Sequence, residues 1–185
     1  MAGIVGLTEI QHTNGTNAIT VGTDGSVTGA FISLAQQWRL STTTNVGTNG
    51  DVTANWEVND ASGYGGIGTG LSQSSGIFSF PITGIYLITF TGRFVLDASD
   101  HAASFSLYIT QNNSSYNEVA VATTGNGWSG GTILATGSNS FIFDVTNTSN
   151  DKFKFVTATF AGGTYLTGNS DVNRTGFTVI RLGAT

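Results

Sequence analysis

Residues able to carry chemistry are few and scattered in this chain. Two histidines, His12 and His101, stand far apart, and neither has a plausible third ligand nearby. Asp97, Asp100 and His101 share one short segment, LDASDH. Carboxylates beside an imidazole can hold a metal or pass protons, but only when partners converge on them from elsewhere in the fold. Alone, the segment reads as a solvated polar turn. Asp144 and Asp151 bracket a second turn, and Lys152 and Lys154 alternate with Phe153 and Phe155, which puts both ammonium groups on a solvent face. Gly65–Gly70, GGIGTG, has the glycine density of a phosphate-cradling loop but lacks the Lys-Ser/Thr pair and the strand-to-helix setting that such a loop needs. No G-x-S-x-G nucleophile motif occurs. With no cysteine, thiolate catalysis, disulfides and Cys-based zinc sites are all excluded. These residues argue against an enzyme and call for no cofactor.

Aromatic side chains offer a different chemistry. Trp38, Trp56, Trp128 and the tyrosines Tyr64 and Tyr165 could stack on sugars or anchor a protein contact, since such rings are amphipathic. Their ordinary alternative is to pin a loop to the core. Trp128, set between glycines in GNGWSGG, is the tryptophan expected to be most exposed, and Tyr64, Trp128 and Tyr165 are the candidate ligand contacts.

Composition says what kind of scaffold must position these groups. Glycine supplies 26 of 185 residues and charged residues only 9%, against roughly 25% charged in an ordinary domain. Thr, Ser and Asn fill the polar positions. Such a chain suits many short strands joined by tight turns and disfavours long helices. Six Lys and Arg cannot neutralise many phosphates, which argues against nucleic acid. No apolar run approaches the ~18 residues of a membrane span, and MAGIVGLTEIQHT has neither the basic nor the apolar region of a signal peptide. Without disulfides or salt-bridge networks, stability is expected from core packing, backbone ladders or oligomerisation.

Taken in order, residues 1–30 form an arm or small hairpin. Its aliphatics are isolated (Ile4, Val5, Leu7, Ile10, Ile19, Val21), and an Asp24-Gly25 turn separates Ala18–Val21 from Val27. It has too little apolar bulk to fold alone, so it is expected to dock on something. Residues 31–185 form the main domain. A strand is expected from about Gln37, another at Trp56–Val58, and a long Gly/Ser loop over 59–76. Alternation then predicts strands at 105–110, 118–123, 132–136, 140–145, 152–160 and 177–182, with a loop at 162–171. Strands every ~8–12 residues with turn signals between them indicate an all-β sandwich or barrel.

The stretch from Gly76 to Val95, GIFSFPITGIYLITFTGRFV, holds the only proline, Pro81. Phe78 and Phe80 alternate with polar neighbours, and Pro81–Gly84 reads as a turn. Beyond it Ile85 and Leu87 share one face and Tyr86, Ile88 and Phe90 the other. A strand apolar on both faces should be covered on both, one cover being the chain's own core and the other a second copy of the chain. Alternation does not say which face is which.

Residues 76–90 resemble the C1q-like signature, a G-x-F-x-x-P-x-x-G-x-Y pattern running through two consecutive strands. Phe105–Ile109 with Gln111-Asn112-Asn113, Ser140–Val156 and Gly176–Leu182 are similar to that family's later strands. The resemblance covers roughly residues 36–185. It implies a jelly-roll sandwich of the C1q and tumour-necrosis-factor type, trimeric about a threefold axis. Phe78, Phe80, Ile85, Tyr86, Leu87, Ile88, Phe90, Phe177 and Val179 would then supply core or trimer interface. No collagen-like stalk precedes the domain; residues 1–30 stand in its place, and the family's calcium sites cannot be transferred to any residue here. In its Gly/Thr/Asn-rich style the chain is also similar to the trimeric cement proteins that decorate capsids of tailed cyanophages. That likeness implies a homotrimer on the outer surface of a virion, docked through its arm onto the major capsid protein, with no nucleic-acid or membrane partner. A receptor- or carbohydrate-binding head of a phage fibre is the alternative.

Overall fold

A computed structural model describes residues 9–11, 15, 17–24, 27–28, 32–98, 100–125 and 131–185. Among these there are strands and no helix: β1 (Glu9–Gln11), β2 (Asn17–Val21), β3 (Val27–Thr28), β4 (Ala35–Leu40), β5 (Gly50–Asp51), β6 (Trp56–Val58), β7 (Ser72–Ser74), β8 (Ile77–Ser79), β9 (Gly84–Leu96), β10 (Ala102–Thr110), β11 (Asn117–Gly125), β12 (Ile133–Val145), β13 (Lys152–Ala158), β14 (Tyr165–Leu166) and β15 (Gly176–Gly183). One sheet runs β11-β10-β13-β8-β7 with β5 beside β13, and a second runs β12-β9-β15-β4-β6 with β14 beside β9. All the pairings are antiparallel. The two sheets face each other as an all-β jelly-roll sandwich: alternation predicts the sandwich or a barrel, and the C1q-like resemblance implies the jelly roll. β1, β2 and β3 make a separate three-stranded sheet, and no described strand of it pairs with the sandwich.

Between the sheets lies a core rich in aromatic rings. Phe78 is at its centre. Its ring stacks on Phe153 of the neighbouring strand at 5.0 Å and meets, edge to face, Trp38 at 5.3 Å, Trp56 at 5.3 Å and Phe177 at 4.8 Å from the opposite sheet. Such pairs each add roughly 0.5–1.5 kcal/mol beyond their area burial, so this one residue ties the two layers together. Phe80, Tyr86, Ile88, Phe90, Phe177 and Val179 are also buried here. Phe153 and Phe155 point inward, while Lys152 and Lys154, alternating with them, are half-buried on the other face. Lys154 pairs with Asp51 at 2.7 Å and lies over the Tyr116 ring.

Several boundaries depart from the sequence expectation. Residues 132–136 and 140–145 are not two strands but one, β12, paired to β9 along its whole length from Ile133↔Leu96 to Val145↔Gly84. The segment Thr136–Ser140, TGSNS, reads as a break because Gly, Ser and Asn disfavour strands. Here a long tertiary partner holds it extended, and Gly137 eases a close approach: a Cβ there would sit 3.2 Å from the backbone of Ala122 and Thr123, where β12 crosses β11. The loop at 59–76 contains β7, and Ile67 forms an isolated bridge with Ala35. The loop at 162–171 contains β14, and β4 begins at Ala35, two residues before the expected start. In each case a few residues become strand because a neighbour offers a free edge, which local pattern does not record.

Candidate self-association surface

β9 decides which of its two faces is inside. Tyr86, Ile88 and Phe90 are 0–1% exposed in the core, so Ile85 and Leu87 face outward and are half-buried. Register extends this outward face across the sheet. Leu87 is opposite Ile142 on one side and Ile180 on the other, Ile180 is opposite Ala35, and Ala35 bridges Ile67. Cross-strand partners share a face. The result is an apolar row crossing the sheet, with Ile142 59% and Ile67 47% exposed. A second apolar row joins Leu134, Val95 and Tyr165. At ~3.3 Å per residue along a strand, Leu87 and Val95 are roughly 26 Å apart. Between the rows the face is polar: Ser140, Thr89, Thr178 and Gln37 form one cross-strand set, and Thr91 is opposite Gly176 in the next.

The polar zone is braced from one edge by a cluster that the sequence reading did not foresee. The expectation of a fold without salt-bridge networks is incorrect. Arg39, opposite Glu57 in the β4–β6 ladder, is fully buried. Its Nε donates to Glu57 at 2.7 Å, Nη1 donates to the Asn59 side chain at 2.9 Å, and Nη2 donates to Asp60 and to the Ser170 carbonyl. The hydrogen bond donated to Glu57, reinforced by both carboxylate charges, holds the guanidinium above its ordinary value despite desolvation. From Arg39 the bonds continue outward: Asn59 Nδ2 donates to Gln37 Oε1 at 2.5 Å, and Gln37 Nε2 donates to Thr178 Oγ1 at 3.0 Å. An opposite-charge pair facing across neighbouring strands was the available signal, but only with the β4–β6 register known.

The other expected site residues are dispersed. Ile10 is exposed and Ile19 and Val21 are half-buried in the small sheet, where Ile10 is opposite Ile19. Ile4, Val5, Leu7 and Trp128 lie outside the described residues. Trp38 and Trp56 are core side chains, and their indole N–H groups donate to Gln36 Oε1 and the Val52 carbonyl, both at 2.9 Å. Neither is a stacking platform, because each ring is already packed. Tyr64 is half-buried and its hydroxyl accepts from the Gln37 N–H at 3.3 Å. In LDASDH, Asp100 is buried and accepts from the Ala161 N–H at 2.9 Å, whereas His101 is exposed. Asp151 is buried and accepts from the Thr146 and Asn147 N–H groups at 2.7 and 2.8 Å, closing its turn, while Asp144 is exposed. Among the described residues no group of three or more His, Cys, Asp or Glu could hold a metal ion.

No known protein-family profile and no curated sequence matches this chain. Solved structures do. The tumour-necrosis-factor protein Eiger from S. frugiperda superposes with a TM-score of 0.57 at 13% identity, over 82% of this chain and 93% of that one. Murine APRIL at pH 5.0 superposes with a TM-score of 0.59 at 12% identity, over 80% of this chain and 98% of its own, and its pH 8.0 form gives 0.56. At such identities the likeness is one of fold: the sandwich is a TNF-like jelly roll.

Proposed function

We propose that this chain is a structural protein that acts as a homotrimer, decorating the outer surface of a tailed-phage capsid and stabilising the shell it binds. One observation carries the self-association: a sheet whose inner face fills the core also presents apolar rows on its outer face, led by Ile142 and Leu87. An exposed apolar face of that kind marks an interface, and a closed ring of identical copies covers it without leaving an open edge. The C1q-type signature at 76–90 and the TNF-like fold support three copies. Capsid docking is assigned to the first thirty residues, because the small sheet β1–β3 is separate from the sandwich pairing and its Ile10, Ile19 and Val21 are exposed or half-buried, without the buried apolar face that independent stability needs. A partner that binds only the assembled shell stabilises it by mass action. The scarcity of convergent acids, bases and nucleophiles among the described residues supports a non-enzymatic role.

Sedimentation of the purified chain should give a trimer; a stable monomer removes the proposal. A chain lacking residues 1–30 should remain trimeric yet fail to decorate shells, whereas full occupancy by the truncated trimer would show that the arm is not the anchor. The alternative, a carbohydrate- or receptor-binding head, would use loops carrying Tyr64, Trp128 or Tyr165. Specific spots on a glycan array, or blocked host adsorption by the free protein, would favour it.

A further inference from the structure

The polar zone between the two apolar rows contains a depression lined by Gln37, Thr89, Thr91, Asn173, Arg174 and Thr178. We infer that this depression is an oxyanion site, with Arg174 as its charged partner. The inference goes beyond the assembly role proposed above; of its two possible anion sources, only the second, a carboxylate of another copy, rests on that role.

Arg174 is half-buried, and no hydrogen bond or ion pair engages it among the described residues. The ion pairs of the described residues use Arg39 and Lys154 instead. Arg93, two residues beyond Thr91 on the same face of β9, is likewise half-buried with a side chain that has no such partner. Asp171, the acid nearest Arg174 in sequence, is exposed and forms no ion pair with it. Guanidinium groups without a protein counter-charge on one patch of a chain with net charge −5 make a local positive field that attracts an anion.

The hydroxyl groups are polarised the same way. Thr178 Oγ1 already accepts from Gln37 Nε2 at 3.0 Å, and Gln37 is fixed by Asn59, itself held by Arg39. A hydroxyl whose acceptor side is engaged has its proton left to donate, and here it can donate into the depression. Thr89 and Thr91 carry hydroxyls with no partner among the described residues. The lining is therefore rich in donors: a planar guanidinium suited to bidentate recognition beside up to three hydroxyls. The space, about 190 Å³, amounts to roughly six waters at ~30 Å³ each. That accommodates a tetrahedral oxyanion or a carboxylate with some retained water.

The oxyanion could be free in solution or be the carboxylate of a second copy seated on this face. Inorganic sulfate and phosphate, titrated at constant ionic strength against chloride into the full-length protein, address the first source by calorimetry and thermal melting. We expect saturable binding and a rise in Tm, with affinity about 10- to 100-fold weaker in Arg174→Gln, the loss of one charge-assisted contact. Lys152→Gln, a cation off the site, should bind as the native chain does. If a partner's carboxylate fills the site, added anions have no effect and Arg174→Gln instead lowers the oligomer's association in sedimentation while each subunit stays folded by circular dichroism. Equal anion response in the native chain and Arg174→Gln, or no response in either together with unchanged sedimentation, overturns the inference.

Discussion

Arg39 shows how one side chain can organise a polar region in a protein with very few charges. Its guanidinium spans β4, β6, the turn after β6 and the segment at Ser170. Arg39→Met should cost about 3 kcal/mol, towards the low end for breaking a buried pair, because Glu57 and Asp60 regain some water when released. Arg39→Lys should lose nearly as much, since one ammonium cannot replace the planar fork; chemical denaturation of both variants checks this. Tyr86 gives the clearest pH dependence. Burial pushes its hydroxyl above the ordinary value, partly offset by the charge of Arg181, and the hydroxyl donates to the Ile82 carbonyl at 2.8 Å. A raised folded value means that the unfolded chain loses its proton first, so this contribution is complete below about pH 10 and is lost as pH rises through the folded value. The Tm of the native chain should fall on that alkaline limb, and Tyr86→Phe should flatten the fall at the expense of about 1 kcal/mol of stability at neutral pH.

At the scale of elements, the β11–β12 crossing is a close junction between the two sheets. β12 is the outer strand of its sheet and β11 the outer strand of the other, and Gly137 lets their backbones approach. Gly137→Val should destabilise by about 1–3 kcal/mol through overpacking, read by urea denaturation with an unchanged slope. At this scale much was legible in the sequence. Phe153 and Phe155 inside, Phe141 and Phe143 towards the core and the two-sided character of β9 all follow from a period of two. The continuity of β12, the bridge at Ile67 and the short strands β5, β7 and β14 were not legible, because their hydrogen bonds are made to residues distant in the chain. The tryptophans went the same way: Trp38 and Trp56 carry the same amphipathic character as an exposed platform, and only their packing against Phe78 and Phe177 puts them in the core.

The described residues form a TNF-like sandwich in which the β12-β9-β15-β4-β6 sheet carries exposed apolar side chains on its outer face. If the apolar rows are buried between copies, Ile142→Asp should shift the protein to monomers in sedimentation, because a carboxylate would be desolvated without a partner. Its exposure in a single subunit means that the fold itself should survive, as circular dichroism would show. Persistence of the oligomer with Ile142→Asp would place the contact elsewhere on the molecule.

Sequence alone determined the all-β class and the inward register of most strands, because alternation and turn chemistry are local and each strand states its own two faces; the jelly-roll type followed only from the resemblance of residues 76–90 to the C1q-like signature. It also placed Ile85 and Leu87 opposite Tyr86, Ile88 and Phe90 on the central strand. Which of those faces is the core was decided only by the tertiary structure, since both are apolar and the answer depends on the sheet packed above. The same holds for the Ile142–Leu87–Ile180–Ala35–Ile67 row and for the depression beside Arg174. Their members come from segments spread through most of the chain, and only cross-strand register brings them onto one surface.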